Sequence, residues 1–142
     1  MPTVTKSVLV PHSAERMFDL VDGVESYPEF LPWCSGTKLI ERTDEVTRAR
    51  IDIDYHGLTT HFTTRNRKEA PRRMDLALEE GPFDRLEGRW TFTPLGEEGT
   101  RVELELDYEL ASRSMSRVLA PVFGHIMETL VDSFVARADA LR

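Results

Sequence analysis

Phe123-Gly124-His125-Ile126-Met127-Glu128-Thr129-Leu130-Val131-Asp132-Ser133-Phe134 is the stretch on which the fold turns. Its apolar residues recur at spacings of three and four. The pattern extends outward to Leu119 and Val122 on one side and to Ala138 and Leu141 on the other. Such spacing lays a broad apolar stripe along one helix, predicted from about Ser114 to Leu141. Pro121 falls in its first two turns, where a proline either kinks a helix or marks its start. A stripe this wide needs a large apolar surface to lie on.

The rest of the chain offers one such surface. Val4 to Val10 reads as a strand ending at Pro11, and Ser13 caps a short helix through Val21 that stops at Gly23. Met17, Phe18, Leu20 and Val21 form its apolar side. Further strands follow at Thr37–Arg42, Val46–His56, Arg73–Glu79, Leu86–Thr93 and Thr100–Leu110, with turns at 43–45 and 96–99. Alternation places Met74, Leu76 and Leu78 inward, then Leu86, Gly88, Trp90 and Phe92, then Val102, Leu104, Leu106 and Tyr108. The expectation is one α+β domain over residues 1–142, a bent antiparallel sheet gripping a C-terminal helix.

One register can be written down in advance. His56-Gly57 reads as a two-residue hairpin loop. Tyr55 then faces Leu58, Ile53 faces Thr60, Ile51 faces Phe62 and Ala49 faces Thr64, with the apolar members on one face. The other face pairs Asp54 with Thr59, Asp52 with His61 and Arg50 with Thr63. A slip of one residue would scramble this sorting.

Composition bounds the function. At 142 residues with 40% hydrophobic content, the chain is long enough to bury a core. A formal charge of −7 argues against general nucleic-acid binding, so DNA is not an expected partner. The single cysteine, Cys34, forms no internal disulfide. No leader pattern or apolar run of about 20 residues is read from the sequence, so a cytoplasmic protein is expected.

Ser26-Tyr27-Pro28-Glu29-Phe30-Leu31-Pro32-Trp33-Cys34 stands apart. Each proline fixes its own φ and disfavours the helical region for the residue before it. This predicts a stiff, apolar connector, neither helix interior nor central strand. It must bury its side chains against core or against a ligand.

Catalytic chemistry is thin. His12, His56, His61 and His125 lack zinc-ligand spacing, and no glycine-rich phosphate loop occurs. His61 opposite Asp52 reads as an outer-face ion pair. Cys34 has no neighbouring cation in sequence to activate it. No cofactor, metal or enzymatic activity is expected. Arg65, Arg67, Lys68, Arg72 and Arg73 cluster at one hairpin end, opposed by Glu69. They form either a solvated turn or a docking patch for rRNA phosphates or anionic headgroups.

The chain resembles the RatA / coenzyme Q-binding family of START-like proteins. Tyr27-Pro28-Glu29-Phe30-Leu31-Pro32-Trp33-Cys34 carries the likeness most clearly. It continues through Phe62-Thr63-Thr64-Arg65-Asn66, Gly81-Pro82-Phe83, Phe92-Thr93-Pro94-Leu95 and the tail from Val122-Phe123 to Ala138. The resemblance implies a helix-grip fold (START/Bet v 1-like) with two short helices after the first strand. It also implies a hydrophobic tunnel for a quinone-like lipid such as ubiquinone, or binding to the large ribosomal subunit that blocks subunit joining. Under the lipid reading Tyr27, Phe30, Leu31 and Trp33 form an entrance wall, or else a plug. Phe83 is a gate. Phe62, Met74, Leu76, Trp90, Phe92, Phe123, Met127, Leu130 and Phe134 line the interior or simply fill it.

Overall fold

In the computed structural model, which describes residues 3–97, 99–111 and 113–141, alternation and helical spacing have become seven strands and three helices. Met1, Pro2 and Glu98, which enter the readings of the N-terminus and of the 96–99 turn, lie outside the described residues. Strand β1 (Thr3–Val10) leads into helix α1 (Ala14–Asp22), a 3₁₀ turn (Val24–Ser26) and helix α2 (Tyr27–Phe30). Strands β2 (Cys34–Arg42), β3 (Val46–Tyr55), β4 (Leu58–Glu69), β5 (Arg73–Glu80), β6 (Phe83–Leu95) and β7 (Gly99–Leu110) follow. Helix α3 spans Arg113–Ala140.

The strands form one antiparallel sheet in the order β1-β7-β6-β5-β4-β3-β2. The β3–β4 register is the expected one at every pair named from the sequence, from Tyr55↔Leu58 to Ala49↔Thr64. Its turn has φ of 51° at His56 and 81° at Gly57, the left-handed pair a two-residue hairpin requires. Strand β2 begins at Cys34, earlier than expected, and reaches β3 through two register shifts.

Local signals hold at α1. Ser13 Oγ accepts from the Arg16 N–H at 3.1 Å, and Gly23 donates to Asp19. Met17, Phe18 and Val21 are buried as expected. The Tyr27–Phe30 segment is a helical turn rather than the irregular connector its prolines suggested, and it is the second of the two short helices that the resemblance implied. Tyr27 takes φ −53°, ψ −42° despite the proline that follows. Pro28 sits in the first turn, where its missing N–H has no helical partner to lose. Leu31 N–H closes the turn on Tyr27 O at 2.9 Å, and the Tyr27 hydroxyl donates to Val21 O.

Helix α3 lies on the inner face of the sheet. Leu119, Phe123, Ile126, Met127, Val131, Phe134 and Ala138 are buried there. Pro121 is inside the helix rather than at its start. By length and composition the span Leu119–Ala140 is apolar enough to cross a membrane, contrary to the sequence reading. Here the sheet, together with α1 and α2, covers its stripe.

Candidate functional site

Between the sheet, α3 and the α1–α2 segment the layers do not close completely. The gap is about 640 Å³ with its open, solvent-filled part included, of which about 80 Å³ admits the centre of a water molecule. On the scale of core mutational series, ~24 cal/mol per Å³, leaving that space empty forgoes about 2 kcal/mol. Its walls come from every layer. Ala49, Ile51, Phe62, Met74, Leu76, Leu86, Trp90 and Leu106 project from the sheet, and Met127, Leu130 and Phe134 from α3. Val21, Val24, Tyr27 and Trp33 close it from the helical segment. Thr64 and Asn66, successive inward positions of β4, are its polar members.

Nine of the residues expected to face a ligand do line this cavity: Tyr27, Trp33, Phe62, Met74, Leu76, Trp90, Met127, Leu130 and Phe134. Five others serve as packing instead. Leu31 is fully buried beneath the helical segment. Phe30 lies beside Phe134 at 5.3 Å, with the Arg137 guanidinium 5.2 Å above its ring. Phe92 is held between Phe18 and Trp90. Phe83 is not an exposed loop aromatic, because it is buried against Phe123 at 4.7 Å, Phe62 at 6.0 Å and Tyr108 at 6.1 Å.

Sequence reasoning did not name Val21, Val24, Ala49, Ile51, Thr64, Asn66, Leu86 or Leu106 as site residues. The β4 alternation was the available signal, since positions 62, 64 and 66 must share a face. Gly88, an inward position of β6, leaves no room for a side chain: a Cβ there would meet Leu106 Cδ2 at 2.4 Å.

The basic cluster divides. Lys68 points inward, and its Nζ donates to Asp22 Oδ2 at 3.1 Å with the side chain 5% exposed. Arg73 pairs with Glu69 and Asp75. Among the described residues, Arg65, Arg67 and Arg72 remain exposed without an ion pair. His61 does stand opposite Asp52, as the register required, but its ionic partner is Glu80 at 3.4 Å while Asp52 takes Arg50. Cys34 is buried, and loss of solvation pushes its thiol up to about 11, away from nucleophilic use. Burial likewise pushes the Tyr27 phenol well above its ordinary value. Among the described residues no group of three His, Cys, Asp or Glu side chains is placed to hold a metal ion.

The family of polyketide cyclases/dehydrases and lipid transport proteins matches residues 10–135. The chain belongs to that family. Among relatives within reach of it, the ribosome association toxin RatA of Escherichia coli K12 is 38% identical over 138 residues, covering 97% of this chain and 87% of that one. The mitochondrial coenzyme Q-binding protein coq10 of Schizosaccharomyces pombe is 26% identical over 137 residues, covering 93% and 84%. A START superfamily protein from Mycobacterium smegmatis superposes with a TM-score of 0.82 at 26% identity, covering 99% of each chain. The Zhui aromatase/cyclase from Streptomyces reaches the same TM-score at 18% identity over 97% and 93%, which establishes the shared fold alone. The helix-grip architecture and the START-like resemblance are thus both shown. Lipid transport in the family's description and coenzyme Q binding in the coq10 name support a START-like ligand-binding role.

Proposed function

We propose that this protein binds a hydrophobic, quinone-like lipid between its sheet and α3, and carries or shields it in the cytoplasm without transforming it. The observation that carries this reading is the cavity itself, apolar on three layers, with polar groups confined to Thr64, Asn66 and the ring edges of Tyr27 and Trp33. Burial of an isoprenoid tail and a ring against these walls supplies affinity, and a few polar groups supply orientation. The 80 Å³ core is smaller than a ring lipid requires, so the walls must yield on binding. Met74 and Met127 are suited to that, with unbranched chains that repack at little cost. The relative named as a coenzyme Q-binding protein supports the choice of ligand class. Organic extraction of the purified protein followed by mass spectrometry tests it. The expected result is a co-purified isoprenoid quinone in near-stoichiometric amount. An extract free of lipid, together with no saturable binding of a short-tailed benzoquinone, refutes the reading.

A second reading is a translation inhibitor that occupies the large ribosomal subunit, supported by the relatives named as ribosome association toxins. Arg65, Arg67 and Arg72 are the unpaired cations that would meet rRNA phosphates, or anionic headgroups at a membrane surface. Lys68 and Arg73 are omitted because each is already paired. Overexpression should raise free subunits in sucrose gradients, and the triple variant R65E/R67E/R72E should lose co-sedimentation. Salt-insensitive co-sedimentation that survives the triple change excludes this patch. The patch is on the outer face and the cavity on the inner one, so one molecule has room for both roles.

A further inference from the structure

None of the described residues lining the cavity is Lys, Arg, His, Asp or Glu. Two of its polar side chains sit together on β4. Asn66 is 5% exposed, and its Oδ1 has no hydrogen-bond partner. Thr64, 7% exposed, lines the same space, its hydroxyl uncommitted among the described residues. Their polar neighbours are engaged elsewhere. Thr47, opposite Asn66 in the register, donates to Asp22 at 2.7 Å, and the Tyr27 hydroxyl donates to Val21 O. Lys68, the next inward position of β4, is not part of the cavity wall, and its Nζ is held by Asp22 at 3.1 Å.

Thr64 and Asn66 are two positions apart on one face of β4, so about 7 Å separates their backbones. One small polar head spans that distance. A threonine hydroxyl donates or accepts, and an amide accepts through its oxygen and donates through its nitrogen. Whichever way round the Asn66 amide stands, the pair therefore offers a donor to a ligand oxygen. It offers nothing to balance a carboxylate or phosphate, whose charge would lie buried without a counter-ion. Trp33 Nε1, also unpartnered, belongs to the other end of the cavity. Its backbone meets β3 at Asp54, about 20 Å along the strand from Thr47. There it is a single donor on an aromatic wall.

Resting on the lipid-binding reading above, we propose that Thr64 and Asn66 form the polar subsite of this cavity, holding the uncharged, oxygen-bearing head of the lipid and rejecting anionic heads such as those of fatty acids. The test is calorimetric titration of the full chain at neutral pH with four probes of one shape: para-butylacetophenone, para-butylphenol, butylbenzene and para-butylbenzoate. The ketone and the phenol should bind at least as tightly as butylbenzene, although leaving water costs them more. The benzoate should bind at least about tenfold more weakly than the ketone. Asn66→Leu/Thr64→Val keeps the volume and removes the polar pair, so the affinity ratio of ketone to butylbenzene should fall at least about tenfold. Both probes meet the same protein, so any loss of stability cancels in that ratio. A ratio unchanged in the double variant overturns the inference, as does a benzoate that binds as tightly as the ketone. A ratio that collapses in Trp33→Phe and persists in the double variant also overturns it, because the head then lies at the Trp33 end. No saturable binding of any probe overturns the lipid-binding reading as well.

Discussion

Lys68 is the residue whose surroundings differ most from its sequence appearance, and its replacement gives a measurable energy. Its Nζ is 3.1 Å from Asp22 Oδ2, with the two side chains 5% and 16% exposed. Asp22 is also held by Thr47 Oγ1 at 2.7 Å and approached by Arg42 Nε at 3.6 Å. The pair thus ties the C-terminal end of α1 to β3 and β4. Breaking a buried ion pair by removing one partner costs about 3–5 kcal/mol. Asp22 keeps two other partners and some solvent, so Lys68→Met, which preserves the aliphatic stem, should cost nearer ~2 kcal/mol. At about 2–4 °C per kcal/mol for a chain of this size, Tm should fall by roughly 4–8 °C. Urea unfolding of Lys68→Met, Asp22→Asn and the double variant forms a cycle whose coupling should be at least about 1 kcal/mol. A Lys68→Met variant within about 0.5 kcal/mol of the parent, with additive changes, would refute the idea that this pair holds α1 to the sheet. It also follows that reversing the charge at Lys68 probes folding, not docking.

Two further changes probe the same layers. Glu25 accepts from both Arg42 Nη atoms at 2.7 Å, and that bond holds its carboxyl at about 2 instead of 4.5. Its folded value is depressed, so its contribution is complete above the unfolded value and is lost as pH falls from about 4.5 toward 2. Glu25→Gln should flatten the acid limb of stability against pH within that window, read from urea midpoints; superimposable limbs would contradict the assignment. Gly88→Ala would set a Cβ 2.4 Å from Leu106 Cδ2 and 3.0 Å from Glu105 O. Calorimetry should register a loss of about 1–3 kcal/mol, the usual range for overpacking. An unchanged Tm would mean that Leu106 has space to retreat into the cavity.

Much of this architecture was legible because the governing signals are short-ranged. A period of two and a two-residue loop were enough to set every β3–β4 pair from Tyr55↔Leu58 to Ala49↔Thr64. Ser13 and Gly23 bounded α1 by local hydrogen bonding, and the stripe from Leu119 to Ala138 announced a helix that must lie on a sheet. Family membership was carried by motifs that are themselves contiguous in sequence. The cavity was half legible: alternation says which side chains point inward, not which of them touch one another. Phe83 and Phe92 point inward and pack; Phe62 and Trp90 point inward and face a gap.

What the chain alone determined, then, was the set of elements, their register at the central hairpin and the grip of sheet on helix, since each follows from spacing within a few residues. Tertiary structure alone decided that Lys68 turns inward to Asp22, and that Trp33 and Asn66 end unpartnered in a narrow void. Those outcomes depend on the distance between layers built from residues far apart in sequence. A side chain's partners are set by what crosses that distance, and no local pattern encodes it.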